Sequence, residues 1–210
     1  MLDRIALITG NAGKAVEYAA MLGIEVTPAK AELAEVQSLD VAVVAARKAA
    51  DAYAQIGEPV LVDDTGLTLH GWNGLPGALV AWFLDAVGAP GILAMAAGLT
   101  DRSATVSTAL GYATADGVRV FQGTVSGSLA PEPRGTSGFG YDSIFIPDTD
   151  SSGRTYAQMT SEEKNKISHR RCAVGQCETA WTIVNKGIDS WCNAECQVQS
   201  ESGESGRHGS

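Results

Sequence analysis

The chain has 210 residues and a formal net charge of -9, from 15 Lys and Arg against 24 Asp and Glu. That length is enough for one domain with a sizeable core. The acidic balance argues against a general nucleic-acid surface, and any phosphate site needs a local basic cluster or a bound cation.

The first element predicted is a buried strand over 4–8, followed by "TGNAGK" and a helix over 15–22. A helix start supplies backbone N–H groups to an anion, and glycine admits a ligand closely. Gly10 and Gly13 stand too close for a Walker A loop, and Ala15 lacks the hydroxyl that would bind magnesium. A second strand is predicted over 24–29, then an alanine-rich helix over 40–56 capped by Ser38 or Asp40. "PVLV" at 59–62 reads as a short buried strand, with Asp63 and Asp64 at its carboxyl end. Ligands of open α/β sheets bind at that edge. Adjacent strand residues point opposite ways, so at most one of the two carboxylates faces a given ligand, unless the strand is already turning at Thr65-Gly66. A magnesium ion would offset their repulsion.

Helical segments are expected around 78–86 and 91–97. The apolar stretch from Leu75 to Leu99 is broken by Pro76, Asp85, Gly88, Pro90 and Gly91, which argues against a membrane span. Two β-branched runs at 105–112 and 118–125 enclose Asp116-Gly117, a hairpin signal. A glycine loop at 137–142 and a short strand at 143–146 follow. Thr160 and Glu163 have capping-box spacing at the start of a helix. Lys164, Lys166, His169, Arg170 and Arg171 form a basic cluster, with His169 and Arg170 read as closing that helix. A further amphipathic helix is expected over 173–184, ended by Gly187, before a polar, glycine-rich tail expected to be disordered. The four cysteines fall at 172, 177, 192 and 196, in no recognised zinc pattern. Strands alternating with helices, plus one hairpin, give an α/β fold with a mixed central sheet and flanking helices. No secretory signal is visible, and a cytoplasmic protein is expected.

A phosphate loop, a carboxylate pair, an aromatic glycine loop and a basic cluster together describe a nucleotide site with a metal. "TGNAGK", "ELAEVQSLD", "PVLVDDTGL", "GLPGALVAWFL", "SGFGYDSIF" and "EEKNKISHRR" occur in that order over residues 1 to about 172. In these motifs the chain resembles the Ham1-like inosine triphosphate pyrophosphatase family, also called the dITP/XTP pyrophosphatases. The resemblance implies an elongated α/β fold with a mixed central sheet, flanking helices and a nucleotide-binding cleft. It implies a Mg2+-dependent hydrolase, commonly a homodimer, that converts ITP, dITP or XTP to the monophosphate and pyrophosphate. Neither nucleic acid nor a membrane is an expected partner. By the same resemblance Thr9, Gly10, Asn11 and Lys14 line the triphosphate, and Lys14 and Asp64 carry the chemistry, Asp64 as proton acceptor. Glu35 and Asp63 match metal positions. Lys48, Thr65 and Lys164 contact substrate, Phe139, Gly140, Tyr141 and Asp142 flank the base, and His169 and Arg170 contact it.

The expected organisation is one domain over 1–186 and a divergent tail over 187–210. Two departures stand out: Ala81 where many members carry lysine, and an unfamiliar sequence after Ala173. They motivate the alternative of a purine-nucleotide-binding protein that keeps the site but not the reaction.

Overall fold

The computed structural model describes residues 4–185. A mixed seven-stranded sheet runs in the order β2-β1-β3-β5-β6-β7, with the two-residue β4 (Pro76–Gly77) paired to β3. Strands β1 (Arg4–Ile8) and β2 (Glu25–Ala29) are parallel, with α1 (Ala12–Leu22) between them. Helix α2 (Val41–Ile56) leads into β3 (Val60–Leu69), which is parallel to β1 over Val60–Val62 alone. From Val60 to Leu69 the other edge of β3 pairs antiparallel with β5 (Ser103–Thr114). β6 (Gly117–Leu129) and β7 (Phe145–Pro147) complete the sheet.

The long β3 departs from the expected short strand. Thr65-Gly66 is no turn: Gly66 lies in register with Ser107. A Cβ there would sit 2.9 Å from Val41 and 3.0 Å from the Ser107 hydroxyl, so glycine permits the close packing of strand and helix. β3 therefore continues past the aspartates while β1 ends at Ile8, and a cleft opens where the parallel pairing stops.

Helices cover both faces. On one, α2 packs Val41, Ala45 and Ala49 against Ala109, Val62 and Ala113. On the other lie α1 and α5 (His169–Asn185), with Tyr18, Leu61, Leu110, Phe121 and Val174 buried together. The close seat of α5 depends on Gly123, where a Cβ would fall 2.2 Å from the carbonyl oxygen of His169. A third core, around Leu67, Leu69, Ile92, Phe145 and Tyr156, lies under α3 (Val80–Met95). Each fully buried large side chain there contributes about 1.5–3 kcal/mol.

The capped start expected for α2 is present: Asp40 accepts from the Ala42 N–H at 2.8 Å. The hairpin is present as well, turning through Ala115 and Asp116. Helix α1 begins three residues earlier than expected, because the Asn11 side chain caps it. The two helical segments expected around 78–86 and 91–97 are present within α3, separated at Gly88, whose backbone (φ 68°, ψ 175°) is not helical. α4 (Ser161–Ile167) opens with the expected capping box. His169 and Arg170 do not close α4: Ser168 is extended and they begin α5 instead. The helix expected over 173–184 is thus part of a longer one. Its terminator Gly187, the tail over 187–210 and the last two cysteines lie outside the described residues. Cys172 and Cys177 are buried, and burial, followed by the nearby Glu178 charge, pushes the Cys177 thiol up to about 12.

Candidate active site

Strand alternation decides the site. Asp63 projects toward α1 and α5, and Asp64 projects toward α2. The two adjacent carboxylates therefore sit in different layers and meet different cations.

Asp63 is enclosed. Its side chain has no exposed surface, and one oxygen takes the Lys14 ammonium. The other accepts from the Tyr18 hydroxyl at 2.5 Å and from Arg170 Nε at 3.2 Å. Burial pushes this carboxyl up. Lys14 and Arg170 outweigh that and hold it well below the usual carboxylate range. Arg170 passes on to Glu17 at 3.0 Å, and Glu17 also takes Lys164 at 3.0 Å. Lys164 in turn donates to Asp142 at 2.7 Å. One chain of paired charges thus ties α1, β3, α4, α5 and the 137–142 loop together.

Asp64 is only half committed. Its Oδ1 accepts from Lys48 at 2.9 Å, and Lys48 also holds Glu35 at 2.5 Å. Its Oδ2 is buried without a partner among the described residues. Burial raises the carboxyl above its ordinary value, against the pull of Lys48.

The phosphate loop is shaped by its own side chains. Thr9 Oγ1 accepts from the Asn11 N–H at 3.0 Å, and Asn11 Oδ1 accepts from the Gly13 N–H at 2.9 Å. A Cβ at Gly10 would meet open space, leaving room beside the backbone for a ligand. Phe139 leans over the loop, 3.3 Å from where a Gly13 Cβ would be. Lys164 and Arg170 lie 4.8 and 5.1 Å from its ring centre. Asp142 braces this turn by accepting from the Phe139 N–H at 2.9 Å.

These groups open on one cleft of about 1530 Å³. It gathers Thr9, Gly10, Asn11, Lys14, Glu35, Lys48, Asp63, Asp64, Thr65, Phe139, Gly140, Tyr141, Asp142 and Arg170. Ala81, the departure noted in the sequence, lines it too. Lys164 and His169 do not. Lys164 is buried in the ion-pair chain, and His169 is fully buried behind Tyr141, 3.1 Å from its hydroxyl. Burial, then the charges of Arg170 and Lys164, hold the imidazole well below its ordinary value, so it is neutral. The sequence reading missed Glu17 and Tyr18. Both lie one helical turn beyond Lys14, and that spacing was the signal available.

For a hard cation the donor set is oxygen and small. No group of three or more His, Cys, Asp and Glu that could hold a metal occurs among the described residues. Magnesium is commonly held by one or two carboxylates with substrate phosphates and waters. Glu35 and the orphaned oxygen of Asp64 fit that description. Asp63 does not, because both its oxygens are taken.

Fold and cleft together define an α/β protein with a charged cleft where the parallel pairing of its sheet stops. Comparison with known proteins is more specific. The model of the Ham1 family matches residues 5–180, and the chain belongs to that family. It is 41% identical over 174 residues to inosine triphosphate pyrophosphatase 2 of Trypanosoma cruzi, covering 81% of this chain and 88% of that one. It is 42% identical over 188 residues to the dITP/XTP pyrophosphatase of Pyrobaculum aerophilum, covering 88% and 98%. Among solved structures, the Ham1 protein of Staphylococcus aureus superposes with a TM-score of 0.74 at 28% identity, covering 85% of this chain and 98% of that one. A Ham1 protein from Coxiella burnetii gives 0.74 at 31% identity, with the same coverage.

Proposed function

We propose that this protein hydrolyses deaminated purine nucleoside triphosphates, ITP, dITP and XTP, to the monophosphate and pyrophosphate. The observation that carries the reading is the unpartnered, buried Oδ2 of Asp64 in the cleft shared with the phosphate loop. Asp64 Oδ2 takes a proton from water as the water oxygen attacks the α-phosphorus. The bond from that phosphorus to the bridging oxygen breaks, and pyrophosphate leaves with the bonding pair. Lys14 offsets the charge gathering on the leaving group. Lys48 holds Asp64 and Glu35 in register, and Glu35 would hold Mg2+ together with substrate phosphates and waters when the ion is bound, leaving Asp64 Oδ2 for the proton. The ion would supply charge neutralisation and orientation of the phosphates.

At the base end Phe139 offers a stacking face, and Gly140 and Tyr141 complete the wall. Arg170 is the donor there for a 6-keto oxygen. Adenine, with a 6-amino group, presents a donor to that donor and is rejected. His169 acts from behind, orienting Tyr141.

We infer a homodimer as the working form, supported by exposed Leu39, Leu75 and Trp82 around the β4 junction. No described helix is long and apolar enough to cross a membrane. We infer that the protein acts on the free nucleotide pool, in the cytoplasm.

The test is pyrophosphate release from ITP, dITP, XTP and ATP, with Mg2+ and with EDTA. Release from the first three only, lost on chelation, is expected. ITP bound but left intact by folded, metal-loaded protein would overturn the hydrolase reading and leave a nucleotide-binding protein.

A further inference from the structure

Four cationic residues line the cleft: Lys14, Lys30, Lys48 and Arg170. Three are already engaged by carboxylates, namely Asp63, Asp64 with Glu35, and Asp63 with Glu17. Lys30 differs. It is exposed, and no carboxylate partner is found for it among the described residues. Its place is fixed by backbone contacts. It follows β2 directly, and the preceding residue, Ala29, accepts from the Thr9 N–H at 3.2 Å. Ala29 is in register with Ile8, so Lys30 stands beside Thr9, where the phosphate loop begins. Two residues on, the Glu32 carbonyl accepts from Gln55 of α2 at 2.9 Å, which pins the segment from the other side. The Glu32 carboxylate also lies on this rim and tempers the local charge.

The sheet order gives the cleft a direction. β2, which leads into Lys30, is the edge strand beside the Thr9 end of the loop, whereas Phe139 lies against its Gly13 end. A nucleotide with its base against Phe139 extends its phosphates over the Thr9–Lys14 loop and toward β2. The inner phosphates meet Lys14 and Lys48. The outermost reaches the rim, where a flexible ammonium suits a phosphate oxygen.

We propose that Lys30 is the contact for the terminal phosphate of the bound triphosphate, and so helps the cleft discriminate by polyphosphate length. This rests on the nucleotide reading above. The contact is made to ground state and transition state alike, so its loss acts chiefly on KM.

The experiment compares the full chain with Lys30→Ala, Lys30→Glu and Lys30→Arg. Lys30→Ala is expected to raise KM for ITP about fivefold, the scale of one partly exposed charge contact, with a smaller fall in kcat. Lys30→Glu does more, and Lys30→Arg restores most of the loss. Inhibition by inorganic tripolyphosphate weakens with KM, while inhibition by IMP, which lacks the outer phosphates, is little altered. Unchanged KM and tripolyphosphate inhibition, or equal weakening toward IMP and tripolyphosphate, would overturn the assignment. Calorimetric binding of tripolyphosphate reads Lys30 without turnover. If the wild-type protein cleaves no ITP, the hydrolase reading fails, and the calorimetry alone decides on Lys30.

Discussion

Two ends of one short segment behave as different materials. Around Asp63 every charge is paired and almost none is wet, in a chain running through Arg170, Glu17, Lys164 and Asp142. Around Asp64 the charges are fewer and incomplete: Glu35 is half exposed, Lys48 serves two carboxylates, and one buried oxygen lacks a partner. Asp63 has no free oxygen left to offer a ligand, and breaking the closed network leaves a buried charge stranded. The open one is poor at holding the fold together but has a lone pair to give. Rigidity and the proposed reactivity thus fall on adjacent residues.

The strongest way to break this contrast is to exchange one atom at each aspartate. Asp64→Asn keeps the shape and a Lys48 contact but gives up the proton acceptor. Pyrophosphate release from ITP should fall about a thousandfold, the scale of a lost general base. Its urea midpoint should stay close to wild type. If Asp63→Asn proves the more damaging to kcat and Asp64→Asn the milder, the two roles are reversed. Next in size, Asp63→Ala strands Arg170 and Lys14 and should cost about 3–5 kcal/mol in urea unfolding.

Acid sharpens the contrast further. His169 is held neutral in the fold, below its unfolded value of about 6.5. Its contribution to stability is therefore complete above about pH 6.5 and is lost as the pH falls below it, since the unfolded chain then takes up the proton first. Stability should drop by up to about 1.4 kcal/mol per pH unit below that point. In His169→Gln that slope should flatten between pH 5 and 6.5. The smallest effect belongs to the exposed Lys166–Glu162 pair. Glu162→Gln should leave the urea midpoint unmoved, since water and salt screen such a pair.

Much of this was legible in the amino acids. The hairpin signalled by Asp116-Gly117, whose turn falls one residue earlier at Ala115-Asp116, and the capped start of α2 follow from local chemistry, because turn and cap residues act within a few positions of themselves. The opposed directions of Asp63 and Asp64 follow from the pleat alone. The length of β3 was hidden, because Thr65-Gly66 has the composition of a turn. Only the distant Val41 and Ser107 explain why glycine is needed inside a strand. The basic run at 164–171 was misread for a related reason. One extended residue, Ser168, splits it between two helices, and that break depends on α5 docking at Gly123. Glu17 and Tyr18 escaped notice because their partners lie more than 40 residues away in the chain.

The alternation along β3 has a consequence for how such a protein can change over time. Which aspartate enters which layer depends on odd or even position counted from Val60, where pairing with β5 begins. Substitutions preserve that parity, so the motif can drift in side-chain identity without its two halves trading places. A single inserted residue between Val62 and Asp63 would invert it, presenting Lys48 with the wrong carboxylate and burying the reactive one beside Arg170. Replacement in this strand therefore leaves the two layers assigned as they are, whereas a shift of frame exchanges them.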